Sequence, residues 1–142
     1  MKKVTFLVVL VFLLIACKNK SEINEDSAQN YSNLTPLEVV NKRMNYFNEH
    51  NYDEFIKLYN TKVEVYTYPD KLMGTGSDRL ASIFKKDFEN KSVSVQIVNQ
   101  MNNGPYVINH EIVTNEGKET KYISIYKVEK GLINSVSFVR EF

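Results

Sequence analysis

The stretch YVINHEIVTNEGKETKYISIYKVEKGLINSVSF, residues 106–138, decides the fold. It holds three runs rich in Val, Ile, Tyr and Phe, at 106–114, 121–128 and from 132 onward. Asn115-Glu116-Gly117 and Lys130-Gly131 separate them, and such short Gly-containing breaks between apolar runs predict hairpin turns. Just upstream, Val93, Val95 and Ile97 alternate with Ser94 and Gln96, and Asn102-Asn103-Gly104 makes another turn. Four consecutive antiparallel strands follow from this pattern.

Upstream of residue 93 the period changes from two to that of a helix. Thr35-Pro36-Leu37-Glu38 is a helix start, with Thr35 as cap, Pro36 in the first turn and Glu38 completing a capping box. Leu37, Val40, Met44 and Phe47 then fall on one face. Asn48-Glu49-His50 is a turn, and Asn51 caps a second helix with Tyr52, Phe55, Ile56 and Tyr59 as its apolar face. Residues 63–68 alternate as a strand that Pro69 stops. Residues 73–76 read as a loop, after which Ser77 caps a third helix bearing Leu80, Ile83, Phe84 and Phe88. Three helices, one strand among them, and four strands after them make an α+β domain: a curved antiparallel sheet with helices on one face.

The chain has 142 residues, 43% hydrophobic and 25% charged, which suits one globular domain. Its first 17 residues, MKKVTFLVVLVFLLIAC, join a basic start to an apolar run too short to span a bilayer as a helix. This is the pattern of a signal peptide. Leu14-Ile15-Ala16-Cys17 resembles the lipobox of bacterial lipoproteins. That resemblance implies cleavage after residue 16, lipidation of Cys17 and anchoring in the cell envelope by more than one acyl chain. Lys18, rather than Asp, after the cysteine implies the outer membrane if the cell is Gram-negative. Residues 17–32 are polar and aperiodic and read as a tether. The domain is expected over 33–142. Loss of Lys2 and Lys3 with the leader would turn the net charge of +1 to −1. Neither value gives a field for nucleic acid, which is not expected as a partner. With one cysteine no intrachain disulfide can form, and with two histidines no ordinary metal or other cofactor site is expected.

The order of elements, with Asn48-x-x-Asn51-Tyr-Asp-Glu-Phe55, the strand at 63–68 followed by Gly76 and a helix, the strand at 106–113 and the closing hairpin at 125–138, resembles the nuclear transport factor 2-like superfamily and its SnoaL-like branch. The resemblance implies a cone, in which a curved sheet wraps an apolar pocket closed by about three helices. Members of that superfamily include isomerases, dehydratases, cyclases and binding domains, so fold alone does not fix function.

Positions carried over from ketosteroid isomerisation fall at Arg43, at Tyr68 or Thr67, and at Ser124, none of which keeps the required carboxylate or phenol. His110 is then the best catalytic candidate. The alternation places Tyr106, Ile108, His110 and Ile112 on one face, and the resemblance makes that face the pocket wall, shared with Ser124 and Tyr126. The candidate pocket is therefore Arg43, Tyr68, Tyr106, His110, Ser124 and Tyr126. Against this stand blander readings: a hydrogen-bonded structural His110, a solvated Arg43, and Tyr66 and Tyr68 packing at the rim. His50, in a turn, is expected to do no chemistry.

Ile123 and Ile125 share their strand with Tyr122 and Tyr126, so both faces are apolar. The outer face is expected to be covered by a second copy of the chain or by further helices. The favoured function is a non-catalytic, lipid-anchored small-molecule-binding or accessory module, with a small apolar molecule as the expected ligand. The rivals are an isomerase, cyclase or hydrolase using His110, and an envelope protein binding a protein partner through its outer sheet face.

Overall fold

The computed structural model describes residues 31–140. The leader, Cys17 and most of the expected tether lie outside the described residues. Helices α1 (Pro36–Asn48) and α2 (Tyr52–Lys57) come first, followed by strands β1 (Tyr59–Thr67) and β2 (Lys71–Thr75). Helix α3 (Ser77–Asn90) leads into β3 (Val93–Asn103), β4 (Tyr106–Asn115), β5 (Lys118–Glu129) and β6 (Leu132–Arg140). The α+β class expected from the sequence holds.

Local chemistry explains most boundaries. The capping box at Thr35 and Glu38 forms in full, and Asn51 accepts from the Glu54 amide at the start of α2. Helix α2 ends at Lys57, so Tyr59 opens β1 instead of extending the helix. Gly76, not Ser77, is the cap residue of α3, with φ near +86° and no side-chain cap bond. Residues 73–75 of the stretch read as a loop instead belong, with Lys71 and Leu72, to the short edge strand β2.

The sheet order is β2-β1-β6-β5-β4-β3. All neighbours are antiparallel except β1 and β6, which run parallel. The sheet is thus mixed, and β6, the last of the described strands, joins its two halves. The helices pack on one side of the curved sheet. Phe47 of α1, Phe55 of α2 and Phe84 and Phe88 of α3 meet there as an aromatic cluster, with centroids 4.8–5.9 Å apart.

Two polar side chains fasten the helical layer to the edge strand. Asn48, at the end of α1, accepts from the Val95 amide at 2.7 Å and donates to the Val95 carbonyl at 2.9 Å. His50, at φ 55°, sits with Nε2 2.8 Å from the Val93 carbonyl. Tyr31, expected in the tether, is part of the core instead. Its hydroxyl donates to Glu54, and its backbone lies on Gly131 so closely that a Cβ there would collide with the Tyr31 carbonyl.

Candidate functional site

A cavity of about 730 Å³ opens between the concave face of the sheet and helices α1 and α3. Its walls are Phe47, Ile83, Phe84, Val93, Val95, Val113, Tyr122 and Phe138. The buried end of the lining carries Arg43 and Glu111, while Glu116 and Lys118 stand exposed at the rim. Size and lining suit a small organic ligand.

The sheet register determines which residues reach this space. Glu111 pairs with Tyr122, Asn109 with Ser124 and Val107 with Tyr126. Opposed residues share a face, and this face is the concave one: Val107, Asn109, Glu111, Ser124 and Tyr126 are all buried. The expected wall of Tyr106, Ile108, His110 and Ile112 is therefore on the convex face, and His110 lies opposite Ile123, away from the cavity.

The reversal has a definite cause. A three-residue turn at 115–117 would set His110 opposite Tyr122. The turn is instead Glu116-Gly117, with φ 50° and 80° and Asn115 paired to Lys118. Positive φ at both central residues is the geometry that matches strand twist in a two-residue hairpin. A slip of one residue moves every side chain to the other face.

Of the six sequence candidates, Arg43 lines the cavity, and Ser124 and Tyr126 are buried behind its lining. Tyr68 lies just beyond β1 at 57% exposure, and Tyr106 opens β4 at 45%. Neither belongs to the lining, nor does His110. The residues that sequence reading missed are Glu111, Asn109 and Tyr122. Their signal was the Glu116-Gly117 pair, which as a two-residue turn sets Ser124 opposite Asn109.

Glu111 is only 2% exposed. It accepts from the Ser124 hydroxyl at 2.5 Å and from the Asn109 amide at 3.3 Å. Gln100 continues the chain of polar contacts, donating to Asn109 at 2.9 Å and to Asn41 on α1 at 3.0 Å. Buried polar groups need such partners, since an unmade hydrogen bond costs about 1–3 kcal/mol.

Arg43 is not solvated. It is 3% exposed and stacked among the rings of Phe47, Phe55, Phe84 and Tyr126, 5.1–5.7 Å from their centroids. A guanidinium over aromatic faces is stabilised by the ring quadrupoles. Nε donates to the Tyr59 hydroxyl at 2.8 Å, and one terminal nitrogen contacts the Met44 sulfur. Burial alone would depress the Arg43 pKa, but the Tyr126 and Tyr59 oxygens and the Glu111 carboxylate outweigh it and hold Arg43 above its ordinary value. Burial also pushes the Tyr59 and Tyr126 hydroxyls up, against the pull of Arg43. The Tyr126 hydroxyl lies beside Ser124 without a hydrogen bond of acceptable geometry.

Chemically, the floor offers a carboxylate with lone pairs to spare and a cation with N–H groups to spare, at the end of an apolar chamber. Among the described residues, no group of three or more His, Cys, Asp and Glu is placed to hold a metal ion.

No protein-family model matches the chain, and no curated protein does. Solved structures do match. A nuclear transport factor 2-like protein of unknown function from Cytophaga hutchinsonii superposes with a TM-score of 0.62 at 21% identity, over 75% of this chain and 90% of that one. A putative ketosteroid isomerase from Kribbella flavida gives 0.65 at 15%, over 75% and 78%. An epoxide hydrolase from M. tuberculosis, of the LEH-like kind, gives 0.60 at 12%, over 75% and 82%. At these identities the likeness establishes the fold, and it is the cone that the resemblance implied.

Proposed function

We propose that this nuclear transport factor 2-like domain is the working part of a lipid-anchored envelope protein and that it binds a small, largely apolar molecule without transforming it. The observation that carries the reading is the cavity itself: about 730 Å³, walled by Phe, Ile and Val side chains from five elements, with its charged groups at the inner end and the rim. Non-catalytic binding is favoured by where the titratable groups stand. His110, the acid–base candidate of the enzymatic alternative, is on the convex face. The positions expected to carry isomerase chemistry hold Arg43, Thr67 or Tyr68, and Ser124. Arg43 is fixed among aromatic rings, and Ser124 is committed to Glu111. The lipid anchor rests on residues 14–17 and the basic and apolar stretch before them.

Native mass spectrometry tests the binding reading. A chain starting at Ser27 retains Tyr31 and all the described core. Purified from a bacterial host, it is expected to carry an added mass under native conditions that disappears on denaturation. A bare mass that also shows no binding of apolar probes would remove the reading.

A further inference from the structure

Resting on the binding reading above, we infer that the cavity selects an uncharged ligand whose polar head both donates and accepts hydrogen bonds, as a carboxamide does, with Glu111 accepting from it and Arg43 donating to it. Three features lead there.

The first is the charge of the inner end. Glu111 and Arg43 are 2% and 3% exposed and both line the cavity. Together they are neutral. A carboxylate ligand would satisfy Arg43 but face Glu111, and an ammonium would do the reverse. In a low-dielectric site, repulsion from the like-charged member cancels much of what the opposite one contributes. An uncharged donor–acceptor head satisfies both and brings no charge to desolvate.

The second is spare hydrogen-bonding capacity. A carboxylate has about four acceptor sites, and Glu111 uses one oxygen for Ser124 and the other for a long bond from Asn109. A guanidinium has five N–H donors. Arg43 commits Nε to Tyr59 and one terminal nitrogen to the Met44 sulfur, a weak acceptor.

The third is the rest of the lining. Lys118 and Arg140 are offset by Asp87 and Glu116. No excess of either sign remains to draw in an ion.

The test uses one apolar body with four ends: 4-phenylbutanamide, 4-phenylbutanoate, 4-phenylbutylamine and butylbenzene, titrated by calorimetry into the chain from Ser27. The expected order puts the amide about tenfold tighter than either charged compound, the difference made by a head group left unpaired or opposed. In Glu111→Gln the Arg43 charge is unopposed, so the order should invert, with the butanoate becoming the tightest. Circular dichroism checks that the variant folds; if it does not, the order in the unaltered protein decides alone. Equal affinities for the three polar compounds, or a charged compound binding tightest to the unaltered protein, would overturn the inference while leaving a binding cone in place. Failure of all four, butylbenzene included, would instead sink the binding reading on which it rests.

Discussion

At the scale of single residues, Gly131 makes the sharpest demand. It combines φ near +76° with the Tyr31 backbone lying where its Cβ would be. Gly117 has nearly the same φ, +80°, but open space around it. The two glycines separate conformational strain from collision. Gly117→Ala should cost about 1–2 kcal/mol, the ordinary penalty of left-handed backbone for an L side chain. Gly131→Ala should cost more, because it also displaces Tyr31 from the core. Urea unfolding of both variants reads the difference, and equal losses would mean that Tyr31 contributes nothing to stability.

At the scale of elements, Asn48 is the fastening to follow. Its amide group treats Val95 as a neighbouring strand would, giving and taking a hydrogen bond on the edge of β3 that β4 does not cover. Asn48→Ala should destabilise the domain by about 1–3 kcal/mol, as two partners are left unmade. It should also speed hydrogen exchange at the Val95 amide more than at Val107 in the sheet interior. Asn48→Asp keeps the acceptor for that amide and should preserve most of its protection. Uniform acceleration across the sheet in Asn48→Ala would show that only global stability had changed.

Elements also show what the sequence made legible. Helices α1 and α2 were marked by Thr35, Pro36, Glu38 and Asn51, whose side chains act within a few residues, so reading them needs no tertiary knowledge. Strands β3 to β6 were marked by alternation and Gly-containing turns. Strand β2 was not, because Lys71-Leu72-Met73 has neither β-branched residues nor a buried face and forms only by lying along β1. The parallel pairing of β1 with β6 was also hidden, since no local pattern records which distant strand will be a neighbour.

The site was less legible than the fold for a related reason. In Tyr106-Val107-Ile108-Asn109-His110-Glu111 both faces carry apolar residues, and the face with more of them proved to be the outer one. Asn109 and Glu111 look like solvent-facing residues by type. They are buried because Ser124 and Gln100 supply their hydrogen bonds from adjoining strands. Arg43 was hidden similarly: a solvated arginine and one caged by Phe47, Phe55, Phe84 and Tyr126 look alike until the rings converge.

At the scale of the whole molecule, the proposed anchor makes a prediction independent of the cavity. Expressed in a bacterial host, the chain should sediment with membranes and carry the mass of its acyl chains. Cys17→Ala should abolish the added mass and release the mature domain or leave the precursor uncut. An unaltered, acyl-free chain in the soluble fraction would refute the anchor. The convex sheet face, meanwhile, is bare of helices among the described residues, with Tyr106 and Ile123 exposed on it and Met101 on the neighbouring strand.

The position of β6 bears on how such a chain is made. Strand β6 comes last in sequence and lies between β1 and β5, pairing Val136 with Val65, about 70 residues earlier, the kind of long-range contact that slows folding. Until it emerges, the hairpin of β1 and β2 and the meander of β3 to β5 are separate pieces, and no continuous sheet can close around the aromatic cluster. A ribosome delivers this chain amino end first. The domain therefore acquires its finished sheet only once β6 is free to lie between β1 and β5.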